Sequence, residues 1–460
     1  MSSIVYNILS LVFIVGVVRG IQLMSSPKTA RQGNLLGAVA MAGAMIVTLI
    51  QAEILSSLTV YATLIIGGAV GYWLAIKVKM TEMPQMVALF NALGGGASAL
   101  VSVLVLMGGA SEITLFNGFN SNLGLAVGAV TFSGSIVAAG KLAALLPQRQ
   151  VHLNHHNLIS ILLFGLTCLL ILVNTVAVSA LLTGLLGLLT LLLGVIIAIR
   201  VGGADMPITI SLLNSLSGVA GAIAGFATNN VLLVAIGAII GASGLILTQI
   251  MCRAMNRQLT KIIFATAPVG TVAEVEEAAP ITAAEVETEP PLERSVRVLG
   301  EAQKVVIVPG YGMALAQAQH KVKELVDLLE RMGKEVKIAI HPVAGRMPGH
   351  MNVLLAEADL DYEKFVEIDA INPEFPEVDA VVVVGANDVI NPAANTAEGT
   401  PIYGMPVLDV AAAKQIIICN YDTKPGYAGV DNPLYKMERS ILLLGDAAES
   451  LAKLNAALSA

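Results

Sequence analysis

The run KVVIVPGYGMALAQAQ, starting at residue 304, carries β-branched residues straight into Gly310-Tyr311-Gly312 and then into helix formers. Glycine permits a tight strand-to-helix turn and, lacking Cβ, lets backbone amides approach a pyrophosphate. Gly310 and Gly312 match the first two glycines of the dinucleotide fingerprint, but the third small position falls on Leu315. Such a motif is weak alone. Further loops follow strand-like runs: HPVAGRMPGH (341–350), GANDVINPAA (385–394), KPGYAGVDNPLY (424–435) and LLGDAA (443–448). Loops beyond strand ends are where α/β folds bind ligands, and several together are hard to explain by structure alone. The second strand-like run ends in His341 rather than the Asp or Glu that would hold a free ribose 2′-hydroxyl. Arg346 is either a bidentate phosphate ligand or a solvated loop charge. No nucleophile motif accompanies His341 or His350, and a nicotinamide that carries hydride needs no general base.

A second group of polar residues lies in apolar surroundings. Asn91 in LFNALGGG and Asn214 in SLLNSLSG sit within long hydrophobic runs, and Asp205 in GGADMP stands where the run containing Asn214 begins. Buried intramembrane amides either bond neighbouring helices or serve transport. A proton path normally needs a titratable group near its middle, and no Lys, Arg, Asp, Glu or His occupies the middle of any run. A partner helix would have to supply it. His152, His155 and His156 in VHLNHHN read as an interfacial loop or a metal cluster.

The elements that position these residues follow from the apolar pattern. Hydrophobic residues form 56% of the 460-residue chain and charged residues 13%, about half the charge of a soluble domain. Nine runs near 4–24, 34–51, 57–76, 84–108, 122–146, 157–174, 177–199, 206–227 and 231–251 are long enough to cross a bilayer. Lys and Arg follow the odd-numbered runs and are absent after the even-numbered ones. That alternation puts the N-terminus outside and the C-terminal part in the cytoplasm. Small-residue stretches such as GGGASA and GVAGAIAG suit close helix packing in lipid. Residues 1–261 hold eleven Lys and Arg and almost no acid, so the net charge of −7 belongs to the C-terminal part, and nucleic-acid binding has no support. Cys168, Cys252 and Cys419 are far apart and suggest neither metal site nor disulfide framework.

The expected fold is therefore a multi-span helical membrane bundle of about nine helices plus a C-terminal α/β doubly wound, Rossmann-like soluble domain. The divisions are 1–261 for the membrane domain, 262–299 for an Ala/Pro/Glu-rich flexible linker, and 300–460 for the nucleotide domain. Strands are expected at KVVIV, EVKIAI, AVVVVG, KQIIIC and ILLLG, with one long helix over 313–331.

Together, TEMPQMVALFN (81–91), GGADMP (202–207), MCRAMNR (251–257), PGYGMALAQAQ, HPVAGRMPGHMNVLLAEA and GANDVINPAA resemble the β subunit of the proton-translocating nicotinamide nucleotide transhydrogenase over nearly the whole chain. The resemblance implies an enzyme of the bacterial inner membrane that passes hydride directly between nicotinamides while protons move through the bundle. It implies NADP(H) on this chain and NAD(H) on a partner α subunit with further membrane helices, in a dimer of the αβ unit. No catalytic residue and no metal are implied. The implied cofactor contacts are Gly310, Tyr311, Gly312, Met313 and Ala314; Val343, Ala344, Gly345 and Arg346; Gly385, Ala386, Asn387 and Asp388; Lys424, Gly426 and Tyr427; and Asp446 and Ala447. Asn91, Asp205 and Asn214 are the implied proton path. Some members carry His at the position of Asn91, and familiar members carry Lys-Arg-Ser clasping the 2′-phosphate where this chain has Asn420, Tyr421 and Asp422. Lys424 is the nearby substitute. The alternative is a membrane-tethered NAD(P)-sensing domain that regulates a transporter.

Overall fold

A computed structural model describes residues 2–54, 56–78, 82–108, 114–143, 145–147, 151, 153–202, 205–254, 258–264, 289–345, 349–398, 400, 402–426 and 428–459. The chain divides into two compact units, Met1–Thr248 and Gln249–Ala460.

Among the described residues, nine helices are long and apolar enough to cross a membrane. They are α1 (Ser3–Met24), α2 (Pro27–Gln51), α3 (Leu58–Lys77), α4 (Met83–Met107), α5 (Leu115–Leu142), α6 (His156–Val176), α7 (Ala180–Ile199), α8 (Met206–Ala227) and α9 (Val231–Ala254). α5 is the hub of the first unit, packed against α4, α6, α7 and α8. The small residues set how close the helices come. A Cβ on Gly95 of α4 would lie 2.8 Å from the Gly128 carbonyl of α5, and one on Gly218 of α8 would lie 2.5 Å from the Gly241 nitrogen of α9. α3 buries none of its residues within this chain.

Two charges that the sequence places at span ends turn inward. Lys141 is 1% exposed, and its Nζ donates to the carbonyls of Ile199 (2.5 Å) and Val201 (2.8 Å). Arg200 is also buried and donates to Asn157 Oδ1. Carbonyls at a helix C-terminus have no intrahelical partner, and a buried ammonium needs acceptors, so each satisfies the other.

In the second unit, α10 (Leu259–Phe264) and α11 (Pro291–Glu301) precede a six-stranded, all-parallel sheet. Its strands are β1 (Lys304–Pro309), β2 (Glu335–Ile340), β3 (Phe365–Glu367), β4 (Ala380–Val384), β5 (Gln415–Cys419) and β6 (Ser440–Leu442), in the order β3-β2-β1-β4-β5-β6. The order reverses between β1 and β4, which pair from Val305 with Ala380 to Pro309 with Val384. Connecting helices are α12 (Tyr311–Leu315), α13 (Gln319–Arg331), α14 (His350–Glu357), α15 (Ile368–Ile371) and α16 (Ala393–Thr396), with α17 (Ala447–Ser459) last. The near-continuous Val and Ile runs are those of strands buried on both faces. Val306, Val308, Val381, Val383, Ile416 and Ile418 pack with Phe375, Leu408 and Leu434 on one face; the alternate residues Val305, Ile307, Val382 and Ile417 are buried on the other.

Three details depart from the sequence reading. The stretch read as linker ends in helix α11, whose Ser295 and Leu299 are buried. The expected long helix over 313–331 is broken into α12 and α13 by a turn in which Gln317 adopts φ 51. β3, three residues long and only partly buried, has no β-branched run to mark it.

Candidate functional site

The carboxyl ends of β1 and β4 flank the point where the strand order reverses, the crevice in which open α/β sheets bind ligands. The turns that leave these two strands are locked together by backbone. The Gly310 amide donates to Val384 O and the Gly312 amide to Gly385 O, both at 2.8 Å. Gly385 has φ 65, and a Cβ there would lie 2.2 Å from the Met313 nitrogen. A Cβ on Gly310 would lie 2.3 Å from Gly385 O, and one on Gly312 would lie 2.7 Å from Gly385 Cα. The steric demand for glycine here is thus contact between two loops. The amides of Gly310 and Gly312, expected to approach a pyrophosphate, are engaged by carbonyls of the β4 turn. Met313 and Ala314 are fully buried beneath it.

The turn after β2 is built on two histidines. His341 Nδ1 accepts from the Val343 amide at 3.2 Å, which leaves Nε2–H to donate to Pro406 O at 2.8 Å. This arrangement requires neutral imidazole, and burial lowers the pKa of His341 accordingly. Ala344 donates its amide to His341 O. Gly345 has φ 101, and a Cβ there would lie 2.5 Å from His350 Nδ1. The His350 ring in turn lies 6.3 Å from the Tyr311 ring, so the β2 turn adjoins the β1 turn. Arg346 lies outside the described residues.

The turn after β4 carries the loop that follows β5. Asn387 Nδ2 donates to Lys424 O at 2.9 Å, and Asp388 Oδ2 accepts from the Ala428 amide at 3.0 Å. A Cβ on Gly426 would lie 2.6 Å from Asp388 Oδ1, so glycine there gives the carboxylate room. Asn432, not named individually in the sequence reading though it lies in the loop 424–435 singled out there, donates to Asn387 Oδ1 at 3.1 Å. Tyr427 lies outside the described residues. Asn420 sends both amide protons inward, to Ala386 O and Tyr435 Oη at 2.8 Å each. The backbone carbonyl of Asn420 accepts from the Gly445 amide, and Asp446 Oδ1 then caps α17 by accepting from the Ala448 and Glu449 amides. Every described residue expected at the dinucleotide therefore lies on one run of interlocked turns along the carboxyl edge of the sheet.

In the first unit, Asn91 is buried on α4 and its Nδ2 donates to Ile210 O of α8 at 3.4 Å. Asn214 is partly buried one helical turn farther along α8, and Asp205 occupies the N-cap of α8. The three expected path residues thus fall in sequence along one helix and its α4 contact. His156 is the first residue of α6, buried with its Nε2 3.0 Å from Ile196 O, and His155 is the N-cap of that helix; His152 lies outside the described residues. No group of His, Cys, Asp and Glu that could hold a metal ion occurs among the described residues.

An apolar helical bundle joined in one chain to a parallel sheet with a glycine-locked switch point defines a class: an integral membrane protein bearing a dinucleotide-type α/β unit. The family model described as NAD(P) transhydrogenase beta subunit matches residues 3–457. The chain is 42% identical over 434 residues, 92% of its length and 92% of the relative's, to the NAD(P) transhydrogenase subunit beta of Rhodospirillum rubrum. The same subunit from a named strain of that species gives the same figures. The chain belongs to the NAD(P) transhydrogenase beta subunit family.

Proposed function

We propose that this chain is the membrane-spanning, nucleotide-binding subunit of a transhydrogenase in which hydride passes directly between NAD(H) and NADP(H) while protons cross the membrane. One observation carries the reading: a glycine-locked β1–β4 switch point lies on the same chain as an amide-bearing helical bundle. In this reading NADP(H) sits on this chain and NAD(H) on a partner α subunit with its own nucleotide domain and further membrane helices, in a dimer of αβ units. The location that goes with this reading is the bacterial inner membrane, and the alternation of Lys and Arg between loops supports an orientation with the N-terminus outside and the α/β unit in the cytoplasm.

The residues present fit a dinucleotide, because the interlocked turns after β1 and β4 form a small-residue floor on which its chain could lie. Residues 310–314, Val343, Ala344, Gly345, Arg346, Gly385 and Ala386 would hold the dinucleotide there, with Asp446 and Ala447 at the start of α17. Asn387 and Asp388 hold the loop that follows β5 through Lys424 O and the Ala428 amide, and Lys424, Gly426 and Tyr427 of that loop would cover the dinucleotide. When bound, the nicotinamide supplies the hydride chemistry, so no catalytic side chain is assigned. The work of this chain is to orient the nucleotide, to exclude water beneath the cover loop, and to pass protons along Asp205, Asn91 and Asn214. The partner contributes the titratable group.

The test is hydride transfer from NADH to a spectrally distinct nicotinamide dinucleotide. It is measured on the purified chain and on the chain co-purified with its partner. The reading expects activity only from the pair; activity from the chain alone overturns the two-subunit assignment.

A further inference from the structure

We infer that Lys141 is a positioning residue for the proton route: its ammonium fixes the turn between α7 and α8 and thereby sets where the Asp205 carboxylate stands at the entrance to α8. The inference rests on the reading above that Asp205 lies on that route, and it names a residue that the reading does not use.

A lysine in the last turn of a membrane helix has an inexpensive alternative, because its long stem can snorkel and leave the ammonium in water. Lys141, in the last turn of α5, instead stays 1% exposed and directs its ammonium at the carbonyls of Ile199 and Val201. Burying an ammonium costs free energy that only well-placed acceptors recover, and ionisable groups buried at membrane depth are commonly functional. Ile199 ends α7, and Val201 lies in the turn toward α8. One side chain on α5 therefore decides how the backbone leaves α7. The frame it works from is fixed, since a Cβ on Gly194 of α7 would lie 2.5 Å from the Val130 carbonyl of α5. From its other side the end of α7 is held by α6. Arg200 Nη1 donates to Asn157 Oδ1 at 2.8 Å, and His156 Nε2 lies 3.0 Å from Ile196 O.

The turn hands this position on to Asp205. The Asp205 amide donates to the carbonyl of Gly202, the residue after Val201, at 3.2 Å. The Asp205 backbone carbonyl accepts from the Thr209 amide and from Thr209 Oγ1, each at 3.2 Å. Asp205 is thus tied backward to the turn that Lys141 holds and forward into α8, whose Ile210 carbonyl meets Asn91. Releasing the turn moves the carboxylate relative to the other path residues, and a misplacement of about 1 Å can cost about 100-fold in rate.

The test measures kcat and KM for hydride transfer by the chain reconstituted with its partner subunit in vesicles, with a protonophore present so that no gradient limits turnover. The wild type is compared with Lys141→Met, Lys141→Arg and Asp205→Asn. Asn174→Leu serves as a control that loosens the other end of α5 and leaves this turn alone. The inference expects kcat to fall about tenfold or more in Lys141→Met with KM for both nucleotides within about twofold, and Lys141→Arg to recover kcat to within about threefold of the wild type. It expects Asn174→Leu to lower the melting temperature and leave kcat unchanged. Where Lys141→Met does not assemble, Lys141→Gln, which keeps an amide donor without the charge or the reach, is judged by the same criteria. Wild-type kcat in the Met or Gln variant overturns the inference alone, as does an equal fall in Asn174→Leu, which would mark general loosening of the bundle. Wild-type kcat in Asp205→Asn overturns the path reading, and the inference with it.

Discussion

At the scale of single residues, the site depends on backbone contact between turns. Gly385 should tolerate no side chain. Its left-handed φ costs an L-residue about 1–2 kcal/mol, and a Cβ would lie 2.2 Å from the Met313 nitrogen. Gly385→Ala should lower the melting temperature of the second unit and abolish nucleotide binding; unchanged melting and affinity would contradict the locked-turn description. His341 supplies a pH dependence. Its folded pKa lies below the ordinary 6.5 because burial disfavours the charged form, so its contribution is complete above that value. The contribution is lost as pH falls from there toward the folded pKa. Protection factors at β2, corrected for the intrinsic pH dependence of amide exchange, should therefore fall between neutral pH and mild acid, and His341→Gln should flatten that response while weakening the β2 turn at neutral pH. Asp379 behaves in the same direction but far lower. Lys414 and the amides of Lys304 and Gln303 hold it at about 2, so it stays ionised throughout that range.

At the scale of elements, a buried amide network ties α5 to α6 and α7. Asn174 Nδ2 donates to Asn122 Oδ1 at 2.6 Å and to Thr183 Oγ1 at 3.0 Å, while its Oδ1 accepts from the Ser179 amide at 3.1 Å. Asn174→Leu should lower resistance to detergent unfolding by about 1 kcal/mol, the usual worth of an interhelical hydrogen bond in lipid; no change would reduce the network to incidental contact. The nine spans were legible in the sequence because each had to be long and apolar throughout. Five of the six strands were legible because strands buried on both faces leave Val and Ile runs such as Val381–Val384. What escaped depended on distant partners or weak local signals. Nothing near Gly310 announces that Gly385 will pack against it. Gln317 turns left-handed with neither Gly, Asn nor Pro beside it, and Phe365–Glu367 pairs with β2 without a β-branched run. Lys141 and Arg200 read only as charges at span ends, because the fold alone supplies the acceptors that let them be buried.

At the scale of the whole molecule, one chain carries both a glycine-locked switch point in a parallel sheet and buried amides in an apolar helical bundle, and belongs to the NAD(P) transhydrogenase beta subunit family. If proton movement drives hydride transfer, each event must shift the other by the same coupling free energy. The most direct test reconstitutes the chain with its partner subunit into sealed vesicles containing a pH-sensitive dye and starts hydride transfer from outside. The account predicts a change of internal pH that tracks turnover and collapses with a protonophore. It also predicts that Asn91→Leu removes the pH change and slows turnover without weakening nucleotide binding. Full hydride transfer with no pH change in intact vesicles would contradict the account at its centre.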